Sequence, residues 1–238
     1  MPDYALSATD RRTLSGIDLL WARPIPDPTT SAGVAAAHAA GALLTFKEQT
    51  GAIRQNAHLS DDGQRDAVAK SAATAYATLT KGDTALQRAD GEAVTLERTW
   101  RAALGPQDAT EAARFAEIRQ HLASQGPDAI ARLTSPMPDV RADAELWRAI
   151  IDGPRALGLL PNPDIRAALE RQLGEQIAPR PYAAWAQLAH DLTIARDALA
   201  SARSYLDTDT NLSEGQRASR HADEAHRQAL LVANGVVA

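Results

Sequence analysis

The chain has 238 residues, a formal net charge of −5 and no cysteine, with 45% hydrophobic but only 4% aromatic residues. That length and apolar content can build one large or two small domains around a real core, and the absence of cysteine excludes disulfides and thiolate metal sites. The acidic balance disfavours phosphate-backbone binding, which draws on counterion release from many Lys and Arg contacts, so nucleic acid is not expected as a main partner.

Alanine dominates while Val and Ile are scarce, a balance that favours helix over sheet. The expected fold is all-α: long antiparallel helices forming a bundle or coiled-coil-like spine, a cluster of short helices, and an extended N-terminal arm. The arm is residues 1–30 and the helical domain residues 31–238. In the arm, Leu14, Ile17, Leu19, Leu20 and Trp21 lead into Pro24, Pro26 and Pro28, which fix φ and remove amide donors. Two readings stand for it: a tail wrapped on its own domain, or an arm docking on a neighbouring subunit through Leu19, Leu20, Trp21 and Ile25. Asp3 and Asp10, with no continuous apolar run around them, argue against a signal peptide. The most apolar run, Ala32 to Phe46, is too short to span a bilayer and is broken by His38 and two glycines, so no membrane partner is expected.

A small-residue helix is expected from Thr30 to Ile53. The central element follows. From Leu59 to Gly105, apolar or small residues recur at Val68, Ala72, Ala75, Leu79, Gly82, Leu86, Ala89, Ala93, Leu96, Trp100 and Ala103. Steps of three and four mark one long helix, about 60–104, with a narrow seam. Ser60 suits its N-cap, Asp61 and Asp62 suit the positive end of its dipole, and Gly105-Pro106 ends it. Gly82 or Gly91 is expected to mark a kink or a tight crossing. Residues 106–178 read as a cluster of short helices, Asp108–Ser124, Asp128–Leu133, Asp139–Asp152 and Asp164–Ile177, separated by prolines. Its expected core is Trp147, Ile150, Ile151, Leu157, Leu159 and Leu160. A second long helix, about 182–206, carries Trp185, Leu188, Leu192, Ala195, Leu199, Ala202 and Leu206 in the same spacing, and a last helix, about 213–233, opens on a Ser213/Gln216 capping box.

Candidate chemistry is sparse. His221 and His226 are five apart, so on a helix they point about 140° away from each other, where a zinc pair needs a spacing of four. Glu117 and His121 have that spacing but stand alone. The stretch Asp207, Asp209, Asn211 matches the first, third and fifth oxygen ligands of a calcium loop, yet Leu212 and Ala218 stand where its glycine and bidentate glutamate belong. It competes with a plain capping turn. No G-x-S-x-G elbow, P-loop or dinucleotide glycine fingerprint occurs, so neither catalytic residues nor cofactors are expected.

The order of Leu59-Ser60-Asp61-Asp62-Gly63-Gln64-Arg65, Glu117-Ile118-Arg119-Gln120-His121-Leu122, Ala129-Ile130-Ala131-Arg132-Leu133, Leu157-Gly158-Leu159-Leu160 and the helix from Asp164 to Gly174 resembles alanine-rich helical proteins encoded among the head genes of tailed bacteriophages. The resemblance covers roughly Leu59 to Leu199 and rests on composition and element order. It implies a virion or assembly component without enzymatic residues, located in the virion or the host cytoplasm. It also implies other protein subunits as partners, capsid or self, in a homo-oligomer or larger assembly. The expected function is therefore a non-enzymatic, head-associated structural protein. A transient capsid assembly scaffold and a bacterial cytoplasmic adaptor or regulator are the alternatives.

Overall fold

Helix follows helix through the computed structural model, which describes residues 6–22, 24–126, 132–133, 140, 142–152 and 162–210. Among these residues there is no strand, and none of the helices is long and apolar enough to cross a membrane. The elements are α1 (Ala8–Ser15), a 3-10 turn (Leu19–Ala22), α2 (Ser31–Gln55), α3 (Asp61–Leu104), α4 (Ala109–Gln125), α5 (Ala144–Asp152), α6 (Pro163–Ile177) and α7 (Pro179–Asp209). They fall into two units, Met1–Gly91 with Leu188–Ala238, and Glu92–Gln187.

In the first unit, α2 is the most enclosed element. Ala32, Ala35, Ala36, Ala37, Ala39, Ala40, Ala42, Leu43 and Phe46 are all buried, and neighbours so close in sequence lie on every side of a helix, as expected of an interior one. Alanine makes that possible, because its small methyl lets other helices approach closely. The α3 seam is the buried face of its helix: Ala72, Ala75, Leu79, Gly82 and Ala89 are buried in this unit. Gly82 is a crossing point rather than a kink, since a Cβ there would lie 2.8 Å from Leu199 Cδ2 and 3.3 Å from both the Ala35 carbonyl and His38 Cβ. Tyr76, Asp83 and Asp90 of α3 meet Asp207, Arg203 and Arg196 of α7. The α3 residues advance seven at a time, about two turns, while their α7 partners fall back in number from 207 to 203 to 196, and the two helices therefore run in opposite directions there. On α7, Leu192, Ala195, Leu199, Ala202 and Leu206 are buried, as the spacing predicts.

The segment expected as an extended arm is helical over much of its described length. Ser7 and Asp10 form a capping box, the Asp10 amide donating to Ser7 Oγ and the Ser7 amide to the Asp10 carboxylate. That box starts α1, which packs on the 3-10 turn and on α2. Leu14 is fully buried and Trp21 is 1% exposed. The proline-containing stretch 24–27 has neither helix nor turn, as locked φ values favour.

The second unit is built on a different plan, with large side chains and arginine ties. Trp100, Leu104, Leu122, Val140, Trp147, Ile150, Ile151, Leu169 and Leu173 form its core; of the six core positions expected in the short-helix cluster, Leu157, Leu159 and Leu160 lie outside the described residues. Trp100 sits 5.3 Å from the Tyr182 ring, edge-on, and 5.4 Å from Trp185. Gly174 admits this cluster, because a Cβ there would lie 2.3 Å from Tyr182 Cδ2 and 2.7 Å from its Cγ. Gly174→Ala is therefore expected to destabilise by about 1–2 kcal/mol, because a contact this close puts the overpacking strain at about 2–3 kcal/mol, the upper part of its usual range, against the ~1 kcal/mol that alanine adds to a helix interior. Chemical denaturation checks this, and an unchanged or raised midpoint refutes it.

The second long helix begins at Pro179, three residues before the expected start, because prolines at 179 and 181 stand in a first turn whose amides need no helical partner. The expected helices over 128–133 and 213–233 lie mostly or wholly outside the described residues.

Candidate functional site

Of the capping turn and cation candidates expected at 207–211, residues 207–209 are helix. Asp207 and Asp209 lie in the last turn of α7, and both carboxylates are engaged within the first unit. The Tyr76 hydroxyl donates to Asp207, and Arg54 Nη2 donates to Asp209 Oδ2 at 2.9 Å. Helical side chains two apart diverge, so the loop geometry a cation needs is replaced by two separate ties. Asn211, His221 and His226 lie outside the described residues. Among the described residues no three His, Asp or Glu side chains gather as a metal would require. Glu117 is exposed and not paired with His121 by any hydrogen bond or ion pair; His121 Nε2 instead lies 2.6 Å from the Gln125 amide.

The candidate docking residues separate. Trp21 is enclosed by its own unit, whereas Leu20 and Ile25 are half-buried; the Leu19 side chain lies outside the described residues. Trp21 is thus a core residue of this chain rather than an exposed anchor, and the spacing of apolar residues alone could not separate the two roles. The Ser7/Asp10 box was the local signal for the helix that encloses it.

Sequence reasoning passed over a different feature, a cavity of about 210 Å³ where α2 and α3 face each other in the first unit. Ala and Gly on α2 leave it open. His38, Gly41 and Phe46 line it from α2, and Ser71, Thr74 and Thr78 from α3. Each of the three α3 hydroxyls has already donated its proton: Ser71 Oγ to Gln49 Oε1 at 2.6 Å, Thr74 Oγ1 to the Lys70 carbonyl at 3.2 Å, and Thr78 Oγ1 to the Thr74 carbonyl at 3.2 Å. The Phe46 ring is fully buried and set edge-on to Tyr205, with centroids 6.4 Å apart.

No protein-family model, curated protein or solved structure matches this chain. The site's chemistry is therefore read from its own residues.

Burial, and then the Lys81 ammonium, hold the His38 imidazole below its ordinary value of 6.5. The unfolded chain then binds the proton more readily than the folded one. The stability contributed by neutral His38 is complete above the unfolded-state value and is lost as pH falls through the folded-state value. His38→Asn is expected to lose less of its thermal midpoint than the unmutated chain between about pH 7 and about pH 5. Equal losses in the two proteins would remove His38 from the acid response.

Proposed function

We propose that this chain is a non-enzymatic helical structural protein that works through contacts with other protein subunits, as a head-associated component of a tailed-phage particle. In this reading the long helices form an antiparallel spine of bundle or coiled-coil type. Residues near the N-terminus, Leu20 and Ile25 foremost, contribute a docking face for a neighbouring subunit, with Trp21 fixing that face to its own unit.

The observation that carries the reading is what the polar side chains do. Arg54, Arg196 and Arg203 tie to Asp209, Asp90 and Asp83. In the second unit, Arg119, Arg148 and Arg166 reach the backbone carbonyls of Ala149, of Leu104 and Gly105, and of Ile151. Charged groups so used fix helices to one another and complete helix ends. The resemblance in element order over Leu59 to Leu199 supplies the phage context.

Mass spectrometry of purified particles and assembly intermediates from the source tests it. The polypeptide is expected in mature particles. Its presence only in intermediates would make it a transient scaffold, and its absence from both would favour a cytoplasmic adaptor.

A further inference from the structure

Independently of that reading, the cavity between α2 and α3 has a chemistry of its own. Its floor is apolar, with the Phe46 ring fixed against Tyr205. Thr45 and Thr74 are exposed, which sets the mouth on the solvent side, while Phe46 and Ala75 are buried beneath it. With their protons donated elsewhere, the oxygens of Ser71, Thr74 and Thr78 have only lone pairs left to offer. A guest that meets them must bring the proton.

Size narrows the guest further. A cavity of about 150 Å³ holds one benzene ring, so ≈ 210 Å³ suits a substituted ring or a fused pair of rings. A cation is disfavoured, because Lys81 acts on His38 at the same wall and a buried charge without a counter-ion is expensive. We propose that this cavity is a binding site for small, neutral, flat aromatic molecules that carry a hydrogen-bond donor, the class of phenols and indoles. The ring lies over Phe46 and the donor meets a hydroxyl oxygen of α3.

Gly41 makes the site testable. A Cβ at Gly41 would have nothing within 4 Å, so side chains can be grown there without a clash at their root. Titration of the full chain with indole, phenol and toluene, followed by amide chemical shifts, is the experiment. Indole and phenol are expected to shift the amides of residues 38–46 and 71–78, with toluene about tenfold weaker, the worth of one hydrogen bond. Gly41→Leu is expected to abolish the response by filling the cavity. Gly41→Ala, which adds one methyl and improves helix propensity, weakens it while keeping the helical circular dichroism of the unmutated protein. Gly91→Ala, at an open position away from the cavity, leaves it unchanged. Absence of binding by both donors up to their solubility overturns the proposal. So does full binding by a folded Gly41→Leu, or toluene binding as tightly as indole.

Discussion

Trp100→Ala is expected to destabilise the second unit by about 3–5 kcal/mol, the largest effect of any single truncation here. Trp100 is 1% exposed and touches both Tyr182 and Trp185, whose rings lie 5.7 Å apart. Removing the indole leaves a void bounded by two aromatic rings that cannot both collapse into it. The indole nitrogen, moreover, has no hydrogen-bond partner among the described residues. Trp100→Phe therefore loses area but no hydrogen bond, and relieves a buried donor of its desolvation. It should cost well under half of what the alanine variant costs. Hydrogen exchange of the α4 and α6 amides measures both variants locally, which matters because a chain of two units need not unfold in one step. Equal losses for alanine and phenylalanine would mean that a single ring cannot fill the site and would refute this account.

Arg148→Ala comes second, with an expected loss of about 2–4 kcal/mol. From α5 the guanidinium donates to the Leu104 carbonyl at 3.0 Å, the Gly105 carbonyl at 2.7 Å and Glu111 Oε1 at 2.6 Å, and its carbon lies 5.1 Å from the Phe115 centroid. One side chain thus closes the C-terminal end of α3 and the first turn of α4. Lysine has the charge without the planar fork, so Arg148→Lys recovers only part of the loss. The Gln107 amide, and then Arg148, hold the Glu111 carboxyl below its ordinary range. Its contribution is present above the unfolded-state value and disappears as pH falls through the folded-state value. Denaturation below about pH 4 should accordingly separate the unmutated protein from Arg148→Ala less than at neutral pH.

The long helices were legible because they combine several signals. Seam spacing, a Ser60 side chain that accepts the Gly63 amide at 3.2 Å, and Gly105-Pro106 agree on α3, and its bounds follow to within a residue. Gly82 was legible as a kink or a tight crossing but not as one rather than the other, since the atoms that decide it come from Ala35, His38 and Leu199, far along the chain. The helix within the arm was missed because three prolines outweighed a capping box only four residues long, and a helix as short as α1 takes its stability from packing rather than propensity. Asp207 and Asp209 looked like ligands because the residues that occupy them, Tyr76 and Arg54, stand more than a hundred positions earlier. The cavity had no sequence signal: it is the space that glycine and alanine leave, and empty space has no motif.

Asp83 and Arg203 stand 120 residues apart, with all of the second unit strung between them. Ribosomes add about 5–20 residues per second, so the α3 seam waits on the order of ten seconds for α7 to emerge. Through that interval the stretch around Gly82 lacks the Leu199 side of its packing. A nascent chain stalled before residue 188 would carry an uncovered helix face in its first unit, and this is the stage at which chaperone engagement or premature pairing between growing chains would act.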